Sequence, residues 1–281
     1  MSNGSTPVRQ ACWDVRAATN FVCGGAGAGL IVFTAFANAG ARTTSALLVC
    51  GAALVAMGLA CVWFEIGRPL RALHVFFHPR TSWMSREAFV ATLLLPAALL
   101  AAAGVPGMIA VAVALALAFV VCQGKMLQAA RAIPAWREPL VAPIVVTTGL
   151  VEGGGLVVAA TATLGSGASI ALALFAALVV LRAFAIVAYM RTLATIHATH
   201  ARAALEPAQR LLLVAGTVLP LVLVALAAIG AFVPAPARAA LVAAGLAAAA
   251  GGFHFKYTLI LRAGFVQAVA LAHLPVRGTR R

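Results

Sequence analysis

Charge is what this sequence has least of. Only 9% of its 281 residues are Asp, Glu, Lys or Arg, and six of those are acidic. Hydrophobic residues make up 64% and the mean hydropathy is +1.06. No soluble domain of this size needs so much apolar surface, whereas a polytopic helical membrane protein does. The net charge of +14 does not indicate nucleic acid, because the cations fall between apolar runs rather than in one basic domain. They suit topology signals and contacts to anionic lipid or an acidic partner. Cysteine is sparse and unpatterned. Cys12, Cys23, Cys50, Cys61 and Cys122 form no CxxC and no set with histidine at zinc or iron–sulfur spacing. They read as small core residues, and neither metal nor cluster is expected in this chain. No histidine falls in mid-span, and a haem held inside a bundle needs two facing imidazoles, so no haem is expected. No cleavable signal is expected either: residues 1–16 are polar, with no short apolar run and small-residue site behind them.

What is present is a rhythm of apolar runs, each near the roughly 20 residues that cross a hydrocarbon core. They fall at 17–38, 44–66, 87–104, 106–127, 140–162, 167–190, 209–231 and 237–260. The expected fold is all-α: a polytopic membrane protein of eight transmembrane helices in two four-helix halves, one integral domain over 1–281. Short loops (39–43, 104–106, 163–166, 232–236) alternate with long ones (67–86, 128–139, 191–208). The long loops share a side with the N-terminal segment 1–16 and the tail 263–281. Of the 20 Lys and Arg, only Arg42 and Arg238 lie on the short-loop side and Arg182 within a span. The positive-inside rule then puts both termini and every long loop in the cytoplasm, from a bacterial inner membrane. A partner would dock on that side.

The densest polar passage is Trp63–Ala88. Arg68, Arg71, His74 and His78 share one face if it is helical, with Leu70, Leu73, Phe76 and Phe77 largely opposite. That suits a short helix in the membrane interface, and equally an ordinary basic loop. Glu65 and Glu87 stand at the helix ends that flank it. Deeper in, span one carries Gly25 and Gly29 as a GxxxG pair for close helix packing, extended by Gly24, Gly27 and Ala28. Missing side chains there would also leave room for a flat ligand beside Asn20. Glu152 lies well inside span five, ahead of Gly153, Gly154 and Gly155. A carboxylate at that depth is costly unless paired, protonated or wetted, which makes it a candidate for a proton path. Arg182 in span six could pair with it or with Glu65, or snorkel to the interface. His74 and His78 at i, i+4 could grip a metal, but two ligands without a third are weak evidence.

The segments GRPLRA, RTSWMSRE, IPAWREP and TTGLVEGGGL resemble the DmsC/NrfD/PsrC family of membrane anchor subunits. The opening WDVRAATNFVCGGAGAGL looks most like the anchors of phenylacetyl-CoA:acceptor oxidoreductase complexes. The resemblance covers essentially the whole chain. It implies a quinone site (menaquinone or ubiquinone) free of haem, beside a ferredoxin-like iron–sulfur subunit that accompanies a molybdenum or tungsten pterin catalytic subunit. Where DmsC-type anchors carry His-Leu-Gly this chain has Glu65-Ile66-Gly67, so Glu65 becomes the expected catalytic proton-handling group. Asn20 and Gly24 match the asparagine and glycine that meet quinone in polysulfide reductase-type anchors. The aromatic hydroxyl of their fourth span has no clear counterpart, and Gln123 and Lys125 are the candidates to take its place. Arg68, His74, Arg86 and Glu87 complete the expected quinone site, and Arg71, Arg80, Arg131 and Arg137 the docking surface. The competing class is an ion- or proton-translocating transporter working through Glu152 and Arg182. Inverted repeats would favour that class, and none is visible. A third possibility is a purely structural anchor.

Overall fold

The computed structural model describes residues 8–65, 69–164, 169–230 and 234–266. Arg68 lies outside them, as do the side chains of Glu65 and Arg71. Eight helices are long and apolar enough to cross a membrane: Val15–Thr34, Ala41–Phe64, Trp83–Ala102, Met108–Gln128, Val141–Thr163, Ile170–Thr195, Thr199–Ala228 and Ala235–Leu261. They are called spans one to eight below. The protein is therefore an all-α, multi-pass membrane protein. In hydrocarbon a backbone must satisfy its own hydrogen bonds, and a helix does so within one segment.

The spans form two four-helix halves. Spans one to four pack as a closed ring, spans five to eight as a second, and spans one and five meet at the seam. In those two, 83% of the apolar window is buried, against 39% or less in the other six. Lipid exerts no hydrophobic force pressing helix on helix, so the seam depends on close backbone approach through small residues. A Cβ added at Gly29 would strike the Gly149 carbonyl, and one at Gly153 would strike the Leu30 amide nitrogen. Gly155 meets Gly245 of span eight in the same way. The GxxxG pair of span one is thus filled by span five, and no flat ligand fits between them.

The structure departs from expectation in four places. Residues 191–208 are mostly helix rather than loop: span six continues to Thr195, and span seven starts at Thr199 after a turn at His197, φ 56°. Ala201, Leu205, Ala208 and Leu212 are buried at helical spacing, with Arg210 paired to Glu206 at 2.6 Å. The charged residues between them hid that period. Pro69–Phe77 is a short helix, one of the two readings, but of the tighter 3-10 type. Its three-residue repeat aligns His74 with Phe77, whose rings lie 5.3 Å apart, and leaves His78 beyond its end. Only Cys122 of the five cysteines is buried; Cys12 and Cys50 are exposed, Cys23 and Cys61 half-buried. An apolar neighbourhood in sequence does not separate core from lipid-facing surface. Finally, Lys256, counted above with the topology-setting cations, is fully buried in span eight.

One end of the bundle is knitted together. Val8–Arg9 pairs antiparallel with Phe265–Val266, joining the two ends of the described residues in a ribbon. Pro134 opens the short helix Pro134–Arg137. Trp136 within it is buried, donates to the Leu259 carbonyl at 3.0 Å, and lies 5.1 Å from the ring of Trp13. Tyr189 donates to the neighbouring Ala135 carbonyl at 2.8 Å. This ribbon end carries the long connections, including the 3-10 helix. At the other end Gly104 and Gly107 take positive φ, 83° and 78°, as the turn between spans three and four requires.

Candidate functional site

Span three begins where Ser82 accepts a hydrogen bond from the Ser85 amide at 3.3 Å. Arg86 steadies that start from outside. Its guanidinium donates to the carbonyls of Pro79 and Arg80, both at 2.8 Å, and lies 4.2 Å over the Trp83 ring. One residue on, the chain turns Glu87 inward, where it is 3% exposed. Asn20, also 3% exposed, reaches it from span one: Nδ2 donates to Glu87 Oε1 at 3.4 Å.

Two cavities meet at this pair. The first, about 230 Å³, is lined by Leu59, Val62 and Trp63 of span two, Leu73 and Phe76 of the 3-10 helix, and Ala91 and Leu95 of span three. The second, about 300 Å³, runs toward the ribbon end past Cys12, Trp13 and Ala17. Asn20, Val62, Met84 and Glu87 line both. Apolar walls with two convergent polar groups are the usual make-up of a small-molecule site. Asn20 Oδ1 is buried without a hydrogen-bond partner among the described residues. Gly58 of span two stands opposite it, where a Cβ would come within 3.0 Å of that oxygen.

Behind Asn20 the helix is irregular. Asn20–Gly24 is a π turn joining two α-helical stretches of span one. Two buried side chains from other spans attach to it. Gln123 Nε2 of span four donates to the Asn20 carbonyl at 3.0 Å, and the same amide is within reach of the Glu87 carboxylate. Lys256 Nζ of span eight donates to the Phe21 carbonyl at 2.6 Å and pairs with Glu152 Oε2 of span five at 2.5 Å. The polar groups therefore run in a line across the seam: Glu87, Asn20, Gln123, Lys256 and Glu152.

The expected residues separate accordingly. Asn20 and Glu87 are brought together. Gly24 lines neither cavity; a Cβ there would meet Gln123 Nε2 at 2.7 Å, so the glycine makes room for Gln123 and not for a ring. His74 and Arg86 also lie outside both cavity linings, although Leu73, Phe76 and Met84 beside them are inside. Gln123 lines neither cavity but bonds the Asn20 carbonyl, whereas Lys125 bonds Gln128 at 3.0 Å. Glu152 is buried and paired, but with Lys256. Arg182 makes no ion pair with it among the described residues. Instead it donates to the Ala248 carbonyl at 2.9 Å and the Gly216 carbonyl at 2.5 Å. Arg131 and Arg137 share a surface hollow of about 520 Å³ with Gln128 and Glu138, and Arg80 is exposed. The sequence reading missed Lys256, although a lysine within an apolar run is signal enough.

Fold and site together define an eight-span helical membrane protein with a ligand-sized cavity beside a buried asparagine–glutamate pair. No protein-family model matches the chain, and no curated protein sequence does.

Proposed function

We propose that this protein is the membrane anchor of an oxidoreductase complex, binding a quinone or quinol between spans one, two and three. The observation that carries this reading is the buried Asn20–Glu87 pair at the junction of two cavities, one apolar and one leading to the ribbon end. The groups fit a quinone ring: an orphaned amide oxygen, a carboxylate, and aromatic and aliphatic walls. A quinone or quinol held there would exchange two electrons with a docked iron–sulfur subunit and two protons with the chain. The chain's own residues supply the rest. Asn20 Nδ2 donates to a ring oxygen, and Asn20 Oδ1 accepts from the hydroxyl of the reduced form. Glu87 Oε holds the proton exchanged with that oxygen, and the second cavity gives it a way to water. Trp63, Phe76 and Leu95 flank the ring and its apolar tail.

The assignment to the DmsC/NrfD/PsrC family belongs to this proposal, as does the bacterial inner membrane with the ribbon end in the cytoplasm. The charge asymmetry of the loops supports that orientation. The iron–sulfur subunit and its molybdenum or tungsten partner then dock there, steered by Arg80, Arg131 and Arg137, with Arg71 on the same connection. Glu87 joins Glu65 as a proton-handling candidate, because among the described side chains it is the carboxylate that lines the cavities.

Purification from the native membrane tests the reading. Redox subunits should co-purify, with quinone-linked turnover that Glu87→Gln depresses while the assembly stays intact. A lone chain that moves ions in vesicles would favour transport through Glu152 instead. Full turnover in Glu87→Gln would remove Glu87 from the mechanism, and the same test applies to Glu65→Gln.

A further inference from the structure

We propose that Lys256, with Glu152 as its counter-charge and Gln123 alongside, is a positioning residue that sets the Asn20 amide in the cavity. This inference rests on the quinone reading above. A π turn is wider than an α turn and is poorer in hydrogen-bond geometry, so it persists where something holds it. Many π turns follow from a proline, but none lies within or near Asn20–Gly24. Instead, two buried donors converge on consecutive carbonyls, Gln123 on Asn20 and Lys256 on Phe21.

The backbone is shaped to receive them. A Cβ at Gly24 would meet Gln123 Nε2 at 2.7 Å, and a Cβ at Gly25 would meet Lys256 Nζ at 2.8 Å. Two adjacent glycines thus give two side chains from other spans access to the main chain. Gly252, one turn before Lys256, would place a Cβ 2.9 Å from Glu152 Oε1, so the counter-ion is accommodated too. An ammonium in a bilayer interior is costly, and Glu152 neutralises it where it touches span one. Asn20 begins the turn, so fixing its carbonyl and the next one fixes where its side chain leaves the helix. The predicted consequence falls on ring affinity rather than on the proton step, because neither Lys256 nor Glu152 lines the Asn20 cavities.

The test uses the assembly purified from its native membrane. Decylubiquinone and menadione serve as benzoquinone and naphthoquinone probes. Lys256→Met combined with Glu152→Leu removes both charges and leaves neither unpaired; Gln123→Leu removes the other donor. Each should keep its thermal transition and raise KM for the accepted probe about tenfold, the equivalent of one lost hydrogen bond, with kcat much less affected. Because both act through one turn, the triple variant should fall short of the product of the two effects. Infrared bands of a carbonyl-labelled probe should shift toward those of a free carbonyl in both. A folded charge-free variant with wild-type KM and carbonyl band overturns the inference; if that variant does not assemble, Gln123→Leu decides by the same readouts. Absence of saturable activity with either probe in the wild type removes the quinone reading itself, and this inference with it.

Discussion

Among the described residues, each half of the bundle contains one π turn with a buried cation on its carbonyl, and the two have different causes. In the second half the turn is Val214–Val218, followed by Pro220. The helical partner of the Gly216 carbonyl would be the amide of residue 220, which proline lacks. Arg182 fills that vacancy at 2.5 Å and takes the Ala248 carbonyl as well. Its charge serves the backbone, which accounts for a fully buried arginine without any transport role. At Asn20–Gly24 no proline interrupts the ladder, yet Gln123 and Lys256 hold the turn, and the residue it presents faces a cavity. Irregular backbone in a membrane needs a compensating donor in either case. Only where that donor has no covalent defect to repair does it point to a site.

The largest effect expected of breaking this comparison comes from Lys256→Met alone. It leaves Glu152 buried and unpaired, at a cost of about 3–5 kcal/mol. Thermal unfolding in detergent should show a far lower transition than the variant that also carries Glu152→Leu. Equal transitions would mean that the pair is not a pair in the membrane. Arg182→Leu should follow, at about 1–3 kcal/mol for the orphaned Gly216 carbonyl. Adding Pro220→Ala restores an amide to Gly216 and should recover about 1 kcal/mol. No recovery would break the explanation offered for that turn. Glu87→Gln acts in the other direction, with little change in stability and a fall in quinone-linked turnover of about 10²-fold, near 2.7 kcal/mol in the barrier. At the bottom of the scale is Gly40→Ala, in a connection where an added Cβ meets nothing within 4 Å. It should stay within about 0.5 kcal/mol in thermal unfolding, and a larger loss would show an unrecognised contact.

Much of the fold was legible in the sequence because hydrocarbon imposes a length on every apolar helix. All eight spans were found, and the turn at Gly104–Gly107 as well. Legibility failed where charge and helix coexist, as at Arg202–Arg210, where a four-residue apolar spacing was masked by its polar neighbours. It failed again for the cysteines, since lipid-facing and core positions are equally greasy. Of the site, Asn20 and Glu87 could be named because buried polar groups near span ends are conspicuous. Their partnership with Gln123, 103 residues from Asn20, could not be, since no local period reports which spans adjoin. Gly24 and Gly25 were recognised as bare surface. Only the packed structure tells that the space is taken by an amide and an ammonium.

The most direct test of the central claim is photolabelling of the native assembly with an azidoquinone, followed by peptide mapping. The account predicts label on residues 59–63 and 84–95, displaced by unlabelled quinone and reduced by Asn20→Leu. Displaceable label confined to spans five to eight would contradict it.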